Sequence, residues 1–189
     1  DHFRGFDSYW AVPANAPDGR SGTWEKGPGM GLFQAVYAAL GKPLPLVAED
    51  LGLLFKSVHR LREEAGLPGM AVLQFAFEPE AKSLYLPHNQ TPHTVCYLGT
   101  HDNDTAVGWL KTAPKEQLQY AKDYLKLTHQ EGYANGLVRA ALSTGAELAI
   151  LPLADYLHLD SKGRINTPGT GEGNCAWRSE KRSLTPALA

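Results

Sequence analysis

Three carboxylates stand in short, unusual contexts: Asp1 in DHFRGF, Glu49 in PLVAEDLG and Asp102 in GTHDNDT. Each lies at or just after a stretch that reads as a buried strand or its exit. A carboxylate there is costly to desolvate unless something pairs it or uses it. Three of them, from separate parts of the chain, are the makings of one polar site. Such a set can do acid–base and nucleophilic work, with one carboxyl held protonated and another ionised.

Plainer readings compete at each position. Glu49 and Asp50 after PLVA also read as a solvated acidic pair or as negative charge at a helix start. The sharper reading makes Glu49 a general acid, its pKa raised by a partly apolar strand end, as glycoside cleavage needs. In the run His101, Asp102, Asn103, Asp104, one residue can cap a helix, and Asp104 before TAVGWL is the natural one. That leaves His101 and Asp102 at a strand tip. Asp1 and Arg4 read as a salt-bridged pair. His88, His93 and His101 lack the spacing of a zinc helix, and no run of carboxylates forms an EF-hand loop, so no metal is expected. WEKGPGMG follows no clear strand and lacks the G-K-[ST] ending of a phosphate loop. PGTGEGN has no lysine and no following helix, so its glycines read as tight turns. There is no G-x-S-x-G elbow.

The elements that must position these groups alternate. After a loop-rich opening over residues 5–29, GMGLFQAVYAALG reads as a helix stopped by Gly41. LPLVAED reads as a buried strand. LLFKSVHRLREEAG carries Leu54, Val58 and Leu61 at helical spacing and stops at Gly66. GMAVLQFAF reads as a β-rich apolar run, TVCYLGT as a buried strand, and residues 114 to about 145 as two helices broken near Glu131 and Gly132. ELAILPLADYL holds a further short strand, and residues 159–178 are turn-rich. Strands with continuous rather than alternating apolar residues, followed by helices, argue for an α/β fold with a parallel sheet. Four such units fit half of a (β/α)8 barrel or an open doubly wound sheet, and in both the ligand site forms at the C-terminal ends of the strands.

Composition sets the frame. The 189 residues can build one domain with a real core. A net charge of -2 forces no basic face, so nucleic acid is not expected as a partner. No apolar run is long enough to span a bilayer, and no membrane partner is expected. Two unpatterned cysteines, Cys96 in a strand-like run and Cys175 in a Gly-rich loop, favour a reducing compartment.

Taken together the segments resemble the 4-α-glucanotransferases (amylomaltases, disproportionating enzymes) of glycoside hydrolase family 77. DHFRGF, W-x-V-P-A, GTWEKGPG, AEDLG, LPHN, GTHDNDT-x-x-GW and R-x-N-x-PGT-x-x-GN-x-x-WR occur in the family's order across nearly the whole chain. One departure is Cys175, where Trp is expected. The resemblance implies an α/β fold, the C-terminal half of a (β/α)8 TIM barrel (about strands 5 to 8) truncated at its N-terminus, with residues 1–189 a partial catalytic domain, no second domain, and 179–189 an exposed tail. It implies a retaining transglycosylase that moves α-1,4-glucan segments between maltodextrins. Asp1 would be the nucleophile, Glu49 the general acid/base and Asp102 the third carboxylate, which holds sugar hydroxyls. His101 would contact the same sugar, and Arg4, Trp10, Glu78 and Asn166 would line or support the groove. No cofactor and no metal is implied, and the location would be cytoplasmic, or plastidic in a plant. Because the chain starts on the nucleophile, it is expected to be an inactive fragment of a longer enzyme. The alternatives are an α-amylase-type hydrolase with the same three carboxylates, or a non-catalytic glucan-binding fragment. Aromatic faces such as Trp10 and Trp24 would stack on sugars or serve only as core.

Overall fold

The computed structural model describes residues 2–52, 54–77 and 84–185. Asp1 and Glu78 lie outside the described residues. The chain divides into two compact units, Asp1–Met70 and Ala71–Ala189.

In the first unit, a short helix α1 (Arg4–Asp7) leads into strand β1 (Ser8–Ala11), which pairs antiparallel with β2 (Thr23–Lys26). Residues 5–29 therefore hold a two-stranded ribbon, not only loop. Its strands are short and largely exposed on both faces, so they carry no apolar alternation for a sequence reading to detect. Helices α2 (Met30–Leu40) and α3 (Lys56–Glu64) follow. Both end as expected on a glycine in the left-handed region: Gly41 (φ +82°) returns its N–H to Tyr37, and Gly66 (φ +59°) to Glu63. Val58 and Leu61 of α3 are buried with Phe3, Phe33, Leu44, Ala48, Ala65 and Leu67. Leu54 packs against this core from its edge. Phe3, Phe6 and Phe33 form a mutual ring cluster with centroids 5.4–5.7 Å apart.

The strand expected over LPLVAED does not form. Residues 44–48 form no ladder, and Glu49 makes only an isolated parallel bridge with His2. Pro45 has no N–H to give, which removes one of the donors a ladder would need. Leu46 and Val47 stay exposed, while Leu44 and Ala48 are buried.

A three-stranded sheet has the order β3 (Gly69–Val72), β4 (Thr94–Tyr97), β5 (Leu148–Ile150). β4 and β5 run parallel, with Val95 opposite Leu148 and Tyr97 opposite Ile150, as the continuous apolar runs implied. GMAVLQFAF is strand only as far as Val72; Leu73–Phe77 winds into a 3-10 turn. An apolar run alone cannot separate a buried strand from a buried turn of helix. Here Gln74 bends the chain by giving its backbone N–H to Leu98 O and its side-chain amide to Asp104 O (2.8 Å).

In the second unit, α4 (Ala106–Thr112), α5 (Lys115–Leu125), α6 (Tyr133–Leu142) and the short α7 (Leu153–Tyr156) complete an α/β arrangement. The two-helix reading of residues 114–145 holds, with the break spanning 126–132. Phe77 is the aromatic centre of this core, ringed by Trp109, Tyr120 and Tyr124 at 5.8–6.5 Å. Residues 179–185 lie exposed apart from Ser183. No helix among the described residues is long and apolar enough to cross a membrane.

Candidate active site

In the first unit, Glu49 is half-buried and its backbone is tied in place. Phe3 donates its N–H to Glu49 O (2.8 Å), and Ala48 donates to Pro68 O (2.8 Å). His2 Nε2 lies 2.8 Å from Leu51 O, while His2 Nδ1 accepts the Arg4 N–H at 3.2 Å. An Nδ1 that accepts leaves the proton on Nε2, so His2 reads as neutral with Nε2–H donating to Leu51. The DHFRGF segment and the AEDLG segment are thus stitched together by their backbones and one imidazole. The Glu49 carboxylate makes no hydrogen bond or ion pair with another described residue.

Its neighbour is used differently. Asp50 accepts the Met70 N–H at 2.9 Å and lies 3.2 Å from Arg62 Nε, with both side chains largely buried. The pair is close, but the Arg62 N–H is not aimed along it. Asp50 is therefore not the solvated partner of an acidic pair: it braces the chain, while the Glu49 carboxylate has no partner among the described residues. Gly69 makes this possible, because a Cβ there would press well inside van der Waals contact of Asp50 Oδ2 and would meet Arg62 Nη1 at 2.7 Å.

Arg4 does not pair with a carboxylate among the described residues. Its guanidinium lies over the Trp24 ring, 5.2 Å from the centroid. Trp24 faces Trp10 across the β1–β2 ribbon, edge to face at 5.3 Å, and meets Phe55 at 5.5 Å. Trp10 Nε1–H donates to Gly19 O at 2.7 Å, which holds the ring. Trp10 and Trp24 keep 41% and 46% of their surface exposed, so neither is a core residue.

In the second unit the Asp102 turn is built by its own side chains. Asn103 Oδ1 accepts both the N–H and the hydroxyl of Thr100 at 2.8 Å, and Asp102 N–H donates to Thr100 Oγ1 at 3.2 Å. The segment that follows α7 then grips this turn. Asn166 gives its N–H to His101 O (3.0 Å) and its side-chain amide to Asp102 Oδ1 in a short bond. Arg164 gives Nη2–H to Asp102 O (2.6 Å) and Nε–H to Asn166 O (2.7 Å). His101 Nε2 lies 3.4 Å from the same Oδ1. Asp102 is half exposed, and its Oδ2 has no partner among the described residues. The helix cap is Thr105, whose hydroxyl accepts the Gly108 N–H, and not Asp104. Asp104 instead accepts the Thr105 N–H and the Ser161 hydroxyl.

His101, Asp102 and Asn166 thus come together in this turn, with Asn166 holding the carboxylate itself. Arg164 and Asn103, both inside motifs quoted above, were not among the residues expected in the site. The R-x-N spacing held the signal, since residues two apart on an extended segment face the same way. Beyond them, PGTGEGN is closed by Asn174, whose Oδ1 accepts the Thr167 N–H (2.9 Å), with Gly169 and Gly173 in the left-handed region. Cys175 is exposed and returns its N–H to Ile165 O at 2.7 Å. No group of three or more His, Cys, Asp or Glu among the described residues could hold a metal.

The sequence model of the 4-alpha-glucanotransferase family, glycoside hydrolase family 77, matches residues 1–184. The chain belongs to this family. It is 46% identical to the chloroplastic/amyloplastic 4-alpha-glucanotransferase of Arabidopsis thaliana over 94% of this chain and 31% of that one. It is 47% identical to the 4-alpha-glucanotransferase of Synechocystis over 100% of this chain and 38% of that one. Its backbone is similar to that of an amylomaltase from Streptococcus agalactiae solved in complex with acarbose (TM-score 0.93, 34% identity), over all of this chain and 38% of that one. The chain therefore spans about a third of the length of the 4-alpha-glucanotransferases it matches.

Proposed function

We propose that the chain is the part of a 4-alpha-glucanotransferase that carries its reacting carboxylates, within the C-terminal half of a (β/α)8 barrel. The enzyme is a retaining transglycosylase that moves α-1,4-glucan segments between maltodextrins. Asp1 attacks the anomeric carbon while Glu49 protonates the departing glucan oxygen, with the two carboxyls about 5–5.5 Å apart as a retaining mechanism requires. The glucosyl-enzyme is resolved when Glu49, now ionised, takes the proton from the 4-hydroxyl of an incoming glucan. Asp102 binds sugar hydroxyls through Oδ2, with His101 beside it. Arg4, Trp10, Glu78 and Asn166 line or brace the groove. The reaction uses no cofactor and no metal, and it runs in the cytoplasm, or in the plastid if the source is a plant. The family match over residues 1–184 carries this reading. The Asp102 turn supports it, being held through one carboxylate oxygen while the other has no partner among the described residues.

The test is Glu49→Gln in the protein that carries this chain. Transfer from maltotriose is expected to fall about 10²–10⁴-fold, because an amide cannot protonate the leaving oxygen. A donor with an already good leaving group is expected to lose far less in the glycosylation step. Equal losses for both donors would remove Glu49 from the acid role.

A further inference from the structure

α4 starts at Ala106, where the turn that carries Asp102 ends. A helix start leaves several N–H groups in need of acceptors. Thr105 N–H is taken by Asp104 Oδ1 (2.8 Å), and Gly108 N–H by Thr105 Oγ1 (3.0 Å). Ala106 N–H is taken from 49 residues along the chain, by Asp155 Oδ1 at 2.7 Å. Asp155 sits on α7 and is completely buried. Its Oδ2 is buried too and has no hydrogen-bond partner among the described residues.

A buried carboxyl with one oxygen unsatisfied is a costly way to accept a single N–H. Burial, with the negative Asp104 nearby, raises its pKa to about 6 against an opposing bond from Ala106. What Asp155 supplies is a buried acceptor oxygen for an N–H at the start of α4. That bond sits at one end of the Asp102 turn; Arg164 and Asn166 hold its crest.

We propose that Asp155 is a positioning residue for the transfer reaction: by clamping Ala106 N–H it fixes where α4 starts, and so where Asp102 stands. The inference rests on the reading above, in which Asp102 meets the substrate. A displacement of about 1 Å in such a group costs on the order of 10²-fold in rate.

Two variants test this in the protein that carries the chain. Asp155→Leu fills the site without an acceptor, and Asp155→Asn keeps an acceptor oxygen. The readouts are kcat and KM for maltotriose disproportionation, and hydrogen exchange at the Ala106 amide. Asp155→Leu is expected to lower kcat on the order of 10²-fold with KM changed less than about threefold, and to speed Ala106 exchange. Asp155→Asn is expected to hold kcat within about fivefold of the parent and to keep the amide protected. An undiminished kcat in Asp155→Leu, a loss carried by KM, or an Asp155→Asn as impaired as Asp155→Leu would each overturn the proposal. Should Asp155→Leu not fold, Asp155→Asn decides alone: a protected amide with kcat near the parent supports it, and a loss of about 10²-fold overturns it. Asp102→Asn is assayed beside them. If Asp102→Asn stays fully active, the functional reading fails and takes this inference with it. If Asp102→Asn is inactive while Asp155→Leu is not, only the inference fails.

Discussion

Asp102 is placed by amide and guanidinium groups that each serve two atoms. Arg164 bridges Asp102 O and Asn166 O with different nitrogens of one planar fork. A lysine keeps the charge but has no such fork. Arg164→Lys is therefore expected to lower the rate of maltotriose transfer by about 10-fold or more; a rate equal to the parent's would show that the fork is dispensable. Asp155 makes a separate prediction about stability. Its carboxyl is raised from 3.8 to about 6 in the folded chain, chiefly by burial. The folded state thus keeps a proton that the unfolded chain has already released. Stability is complete below the unfolded value and is lost as pH rises through about 6, by at most about 3 kcal/mol. Asp155→Asn has no proton to lose, so its Tm relative to the parent should climb between pH 4 and pH 7. A difference that stays flat over that range would show that the carboxyl ionises as easily folded as unfolded.

At the scale of elements, helices were legible because their apolar spacing and terminal glycines act locally. Val58 and Leu61 faced the core and Gly41 and Gly66 ended their helices as read. Strands were legible where flanking chain pairs with them, as in TVCYLGT, and not where pairing partners are withheld. Residues 44–48 have the composition of a buried strand, yet Pro45 removes a donor and three of the five residues remain exposed. The site followed the same division. Asp102 and His101 stood out by local context and Asn166 only through the family resemblance, but the brace formed by Asp50 and Arg62 depends on a glycine that only the fold brings near. Gly69→Ala must push a methyl against the Asp50 carboxylate, which Met70 N–H holds in place. It is expected to cost about 1–3 kcal/mol in a denaturant titration, as overpacking does. Gly31→Ala, inside α2 with nothing within 4 Å of the added methyl, should instead stabilise by up to about 1 kcal/mol. Equal effects at the two positions would contradict the crowding at Gly69.

For the molecule as a whole, the length matters most. The chain covers 31–39% of the 4-alpha-glucanotransferases it matches, and Leu148 and Ile150 of β5 are exposed by 50% and 41%. We expect the 189 residues expressed alone to release little glucose from maltotriose and to form few longer glucans. Activity near that of a full-length relative would show that this third of the enzyme suffices for transfer.

The indole pair of the β1–β2 ribbon has an optical consequence. Two tryptophans held edge to face at 5.3 Å share their excited states, and the splitting gives a couplet in circular dichroism that a lone indole cannot give. Trp109 and Trp177 lie in the other unit, so the couplet is a private thermometer for residues Asp1–Met70. Heated alongside the backbone signal, it tells whether the two units melt as one cooperative body or in sequence. Trp10→Phe, which erases the couplet while leaving an aromatic ring in place, provides the blank.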